Sequence, residues 1–156
     1  DVARRDAFKW NDTGAAPMVT WLEKSGKLEP GQNSLTAPEE RQLQDSGSLL
    51  QHYQSLAALR AVSPALRQGT FAVPSWPGFD SGYLLAWLRE SDSQRILVLH
   101  NLDSLTFTAK VPEGVRFVML WQSRDGLLKE NSRRTFQSGE SIQLGAAQSA
   151  VFEVLQ

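Results

Sequence analysis

Residues 48–66 read SLLQHYQSLAALRAVSPAL, and this stretch decides the fold because it separates a loop-like beginning from a sheet-like remainder. Leu49, Leu50, Tyr53, Leu56, Ala57 and Leu59 recur three and four apart, which predicts a helix with one apolar stripe. Gln51, His52, Gln54 and Arg60 fall largely on its other faces. Ser48 or Ser46 is placed to cap the first turn. Pro64 has no N–H to give and biases Ser63 away from helical angles, so the main helix is expected to end near Val62. A short helical tail follows, closed by Gly69. A stripe of this kind needs something to pack on.

Beyond Gly69 the period changes from that of a helix to that of a strand. Short apolar runs at 70–73, 82–89, 95–101, 105–111, 116–122, 133–137, 141–144 and 150–155 are separated by WPGFDSG, ESDSQ, VPEG, SRDG, QSGE and GAAQ. These separators are rich in Gly, Pro, Asp and Ser, the residues that turns select. Short strands at such intervals predict an antiparallel β-sandwich. The runs around Leu97–Leu99 and Phe117–Trp121 are apolar on both faces, so they are expected to be central strands.

Upstream, residues 1–32 carry Gly14, Pro17, Gly26, Pro30 and Gly31 among scattered aromatics, with no lasting period. Phe8, Trp10, Met18, Trp21 and Leu22 argue against a free disordered tail, which would be poor in aromatics. A long irregular loop that packs on something is expected there. Between 33 and 47, Pro38 is tolerated at a helix start, Thr36 is a capping candidate, and Glu39 and Glu40 suit the positive helix end. A short helix to about Gln44 follows.

With 156 residues the chain is long enough for a real core, about one ordinary domain or a smaller one plus part of another. Its 16 basic and 17 acidic residues leave no excess to favour nucleic acid, and no polybasic run favours a membrane surface. The apolar runs are too short to span a bilayer, so a soluble chain with an uncharged partner is expected. The absence of cysteine removes disulfides and thiolate metal sites from consideration. The sequence opens on Asp1 without a signal-like segment, which favours a piece of something longer.

No phosphate-cradling glycine loop and no metal-spaced histidine cluster occurs, and His52 and His100 are the two histidines of the chain. His100 ends an apolar strand and reads as a satisfied strand-end residue before a catalytic one. A glycosidase needs two carboxylates facing each other across a sugar. The pair near aromatics is Asp6 with Asp12, for which a solvated or capping role outweighs acid/base work. Of the five tryptophans, Trp87 and Trp121 read as core, while Trp76 in the turn SWPGF is the candidate for contact with a sugar ring.

Three further stretches carry a resemblance. The run Arg5-Asp6-Ala7-Phe8-Lys9-Trp10 resembles the R-x-P-[FM]-x-W segment of the α-amylase family of glycoside hydrolases. Residues 40–45, ERQLQD, resemble that family's E-x-Q-L-x-D stretch. The opening stretch, with Tyr53, Leu56, Leu59, Arg60 and Gly69, resembles S-L-L-x-x-Y-x-x-L-x-x-L-R-x-x-x-P-A-L-x-x-G, the last barrel helix and its exit. Ala7 and Ser46 depart from the pattern, which usually has Pro at both places.

The resemblance implies a division into residues 1–66, the loop and last helix of a catalytic (β/α)8 barrel, and residues 67–156, a Greek-key β-sandwich of the type called domain C. It implies the C-terminal portion of a retaining glycosidase acting on α-linked glucans, supporting the barrel and not catalytic alone, because the family's catalytic carboxylates lie upstream. No catalytic residue, metal or cofactor is therefore assigned to this chain. Arg5 and Trp10 border the acceptor side of the cleft in the family and are candidates, with Trp76, for substrate contact. The expected partners are the upstream barrel portion and an α-glucan, with neither nucleic acid nor membrane. A secreted or periplasmic setting is favoured. The rival reading is a free-standing carbohydrate-binding or interaction sandwich module carried by Trp76.

Overall fold

The computed structural model describes residues 9–11, 37–80, 82–123, 126–127 and 132–156. The chain divides into two compact units, Asp1–Gln51 and His52–Gln156.

In the first unit, helix α1 spans Glu39–Gln44, with Pro38 at its N-cap in an extended conformation (φ −66°, ψ 160°). Pro38 thus stands just outside the helix, one place earlier than the first helical position. Its missing side-chain cap is made good by backbone, since the amides of Glu39 and Glu40 donate to the carbonyls of Lys9 and Trp10 at 2.9 and 3.1 Å. Thr36 lies outside the described residues. Ser48 caps the next helix: its Oγ accepts from the Gln51 amide at 3.2 Å and donates to the Gln42 carbonyl at 2.6 Å. Ser46 sits in the turn before it.

That helix, α2, spans Leu49–Val62 and carries the chain into the second unit, where α3 (Pro64–Gln68) follows. Between them Ser63 adopts φ −102° and ψ 109°, as a residue before proline should, and its buried hydroxyl accepts from the Leu66 amide. The same hydroxyl lies 2.5 Å from Gln94 Oε1, so the break is tied to a strand turn. Gly69 ends α3 with its amide on the Ala65 carbonyl, at an ordinary φ of −63°. Its need for glycine is steric instead: a Cβ here would come within 2.7 Å of the Glu90 carbonyl oxygen.

Nine strands are described. They are β1 (Thr70–Ala72), β2 (Leu84–Ser91), β3 (Gln94–Asn101), β4 (Phe107–Lys110), β5 (Arg116–Gln122), β6 (Gly126–Leu127), β7 (Thr135–Phe136), β8 (Ser141–Leu144) and β9 (Ser149–Leu155). The larger sheet runs β1-β2-β3-β9-β5-β6, with β7 also on β5, and β4 pairs with β8 in a second sheet. Every pairing is antiparallel. All eight predicted runs contain a strand. The ninth, β6, is two residues within the SRDG turn and its sequel, where no alternation has room to show.

The larger sheet is covered on both faces, which is why its central strands lack a polar side. Leu88, Leu97, Leu99, Phe117 and Phe152 face Ala109, Ile142 and Leu144 of the β4–β8 sheet. Ile96, Val98, Leu120, Trp121 and Val151 face the other way, against Leu59 and Ala65 of the helices.

The helix departs from a single stripe. Leu59 is 2% exposed against the sheet, whereas Leu49 and Tyr53 are 67% and 65% exposed. The six apolar positions at helical spacing therefore form an arc that the sheet covers at one edge only. His52, expected on a polar face, lies edge-on to the Trp121 ring at 5.0 Å.

Candidate functional site

Within the second unit the helix-facing side of the larger sheet is only partly covered, and a cleft of about 520 Å³ remains. Strand register builds it. Trp87, Val98 and Val151 are direct neighbours across β2, β3 and β9, and Val151 pairs onward with Trp121 of β5. One rung further, His100 pairs with Ser149. Residues opposite one another in an antiparallel sheet share a face, so this row forms an apolar floor. Helix α2 supplies a wall through His52, Leu56 and Arg60.

Trp87 is thus only half-buried and lines the cleft, in contrast to the core position expected of it, while Trp121 is buried. The reason is coverage: α3 reaches β2 at Arg89, whose Nε meets the Ala65 carbonyl, while Trp87, one rung along the same face, is left lining the cleft. The Trp121 indole N–H donates to Ser55 Oγ at 2.8 Å and so pins the helix to the sheet. Trp87 stacks at a tilt on the His100 imidazole, 5.0 Å between centroids.

His100 Nδ1 lies 2.5 Å from Ser149 Oγ. Burial lowers the imidazole's affinity for a proton below its ordinary value. A serine beside a histidine invites comparison with a nucleophile and its base, but such a pair needs an orienting carboxylate. Among the described residues no Asp or Glu lines this cleft. The pair is a polar clasp between two strands. Two guanidiniums also line the cleft: Arg60 Nη1 donates to the Leu66 carbonyl at 2.7 Å and Arg89 Nε to the Ala65 carbonyl at 3.4 Å. Both thereby satisfy carbonyls at the end of α3.

The sequence-level candidates fall elsewhere. Arg5, Asp6 and Asp12 lie outside the described residues. Trp10 is 42% exposed in the first unit, where its carbonyl holds the start of α1. Trp76 is half-buried: its ring meets Phe79 at 5.7 Å and Phe117 at 5.5 Å, and the Arg95 guanidinium lies 5.4 Å from its centroid. Arg95 in turn pairs with Glu90. Among the described residues no group of three His, Asp or Glu side chains is gathered as a metal site would require. Among them, too, no helix is long and apolar enough to cross a membrane.

The cleft itself was not anticipated. The signal available for it was the period-two spacing of Trp87 with Arg89, Val98 with His100, and Ser149 with Val151. What turns those pairs into one surface is the pairing of β3 with β9, about fifty residues apart.

Comparison with known proteins accounts for this architecture. Residues 84–151 match the family profile described as the alpha-amylase SusG C-terminal domain. Among solved structures the chain is similar to the trehalulose synthase MutB from Pseudomonas mesoacidophila MX-45, with 24% identity and a TM-score of 0.67 over 97% of this chain and 25% of that one. A MutB mutant in complex with the substrate sucrose gives the same figures. The isomaltulose synthase PalI from Klebsiella sp. LX3 is similar at 20% identity and a TM-score of 0.67, again over 97% of this chain and 25% of that one. The chain therefore spans about a quarter of the length of these proteins. Among curated proteins no sequence matches.

Proposed function

We propose that this chain, whose residues 84–151 match the profile of an alpha-amylase C-terminal domain, is the C-terminal portion of a retaining α-glucosidic enzyme, carrying the end of its barrel followed by domain C. Its work is to support the catalytic barrel. The observation that carries this reading is the apolar surface that helix α2 leaves uncovered. Leu56 and Leu59 serve the sheet, yet Leu49, Tyr53 and Val62 remain exposed, Val62 by 74%. Large apolar side chains left exposed in this number on one helix mark a surface to be covered. That surface suits the upstream barrel.

In this reading Arg5 and Trp10 border the acceptor side of the active-site cleft, and the substrate is an α-linked glucoside, from sucrose-sized to maltooligosaccharide. The reacting carboxylates belong to the upstream portion.

The test is an activity assay with complementation. The chain alone should release no glucose from maltooligosaccharides or sucrose, and adding the separately produced upstream portion of its gene should restore turnover. Tyr53→Asp should block that restoration while leaving the sandwich folded. Leu56 is unsuited to this test because it packs against the sheet. Turnover by the chain alone would end the reading, as would an upstream portion that neither binds the chain nor gains activity from it.

A further inference from the structure

The cleft over β2, β3 and β9 is distinct from the outward side of α2, and its lining is chemically one-sided. Its floor is Trp87, Val98, Trp121 and Val151, and its ionisable lining residues are Arg60, Arg89, His52 and His100. Each guanidinium spends one N–H on a backbone carbonyl, and a guanidinium has five, so donors remain on both. An apolar floor beside guanidiniums that no carboxylate lining the cleft, among the described residues, neutralises favours an occupant that is apolar in body and anionic at one point. The volume, about 520 Å³, suits a few side chains.

We propose that this cleft seats a segment of the catalytic portion in which an Asp or Glu side chain enters beside an aliphatic or aromatic one, the carboxylate meeting Arg89 and Arg60 and its neighbour covering Trp87. The inference rests on the reading above and deepens it by naming the partner's chemistry. Similar solved structures are about four times as long as this chain, so a partner of sufficient size exists in that reading. A second copy of this chain is a poor occupant. A two-fold contact through this surface would bring Arg60 and Arg89 against their own counterparts.

The experiment is titration calorimetry of the chain with the separately produced upstream portion of its gene, at low and high salt. Association should weaken on adding salt, and Arg89→Glu should weaken it by about tenfold or more, with Arg89→Lys losing much less. Trp87→Ala should weaken it without altering the salt dependence. Arg89→Glu binding as tightly as the unaltered chain would overturn the cleft assignment while leaving the reading of the chain intact. No association at all, even for the unaltered chain, would remove both. Self-association abolished by Arg89→Glu would also overturn the assignment, as would maltoheptaose quenching of tryptophan fluorescence that Trp87→Ala abolishes. The chain's melting curve, followed for each variant, separates lost binding from lost folding.

Discussion

Replacing Asn101 should destabilise the sandwich more than any apolar truncation of one or two methylenes, because one buried amide holds three segments together. Asn101 ends β3 and is 2% exposed. Its Nδ2 lies 2.8 Å from the Leu105 carbonyl, 3.1 Å from that of Leu144 in β8 and 2.9 Å from that of Gly145. Its Oδ1 accepts from the Asp103 amide at 3.0 Å. Two N–H groups serve three carbonyls, so one is shared, and the side chain amounts to about three full bonds. At roughly 1 kcal/mol each, Asn101→Ala should cost about 3 kcal/mol, or a fall of about 6–12 °C in Tm at this chain length. Asn101→Asp should cost more near neutral pH, since a carboxylate has no donor and would face three carbonyl oxygens. That excess should shrink on acidification: the folded state raises the carboxyl's pKa, so the folded form gains protons first and the protonated acid recovers one donor. Urea unfolding followed by tryptophan fluorescence measures both variants. An alanine variant within about 1 kcal/mol of the parent, or an aspartate variant that tracks alanine at every pH, would refute the reasoning.

Gly69→Ala should destabilise by more than about 1 kcal/mol, since the new Cβ would press on the carbonyls of Ala65 and Glu90 and both are fixed backbone; an unchanged thermal melt would show that β1 shifts freely. Trp76→Ala should cost roughly 2–3 kcal/mol, less than a fully buried aromatic, through its lost contacts with Phe79 and Phe117; a normal melt with lost affinity for starch would instead favour the sugar-contact role. For His100 the folded state depresses the pKa below 6.5, so the unfolded chain binds the proton first and stability should fall as pH drops through that value. His100→Asn should flatten this slope in urea titrations at pH 5 and 8, and a slope unaltered by the substitution would place its origin elsewhere.

Much of the architecture was legible because it depends on local spacing. Pro64 and Ser63 announce the break between α2 and α3, and turn-forming separators mark most of the boundaries between the longer strands. What escaped depends on neighbours distant in sequence. Three-and-four spacing marks an apolar arc without showing how much of it the sheet covers, so Leu49 and Tyr53 could not be told from Leu59 by period alone. Asn101 looks like any turn-adjacent polar residue until Leu144 and Gly145 arrive beside it. The same holds for the cleft, whose residues come from β2, β3, β9 and α2. Trp76 illustrates the converse: its Pro-Gly turn was plain, while Phe117, the ring it packs on, lies forty residues away. The resemblance to the α-amylase family carried the proposed function further than side-chain chemistry does, since among the described residues no carboxylate lines the cleft.

The position of β9 has a consequence for the order of events during synthesis. This strand joins β3 to β5, pairing Leu97 with Phe152 on one side and Met119 with Phe152 on the other. Before residues 149–155 emerge from the ribosome, the β1–β3 meander and the β5–β7 group have no backbone bond between them within the sheet. Each would wait with an open edge and with half of Phe152's socket empty, which is the kind of exposed strand that chaperones hold and that aggregates recruit. Because β9 pairs with both β3 and β5, the sheet cannot close before residues 149–155 are available. A chain ending before these residues would leave two half-sheets with no strand hydrogen bonds between them, so a truncated product should be recognised and degraded without needing any damage elsewhere.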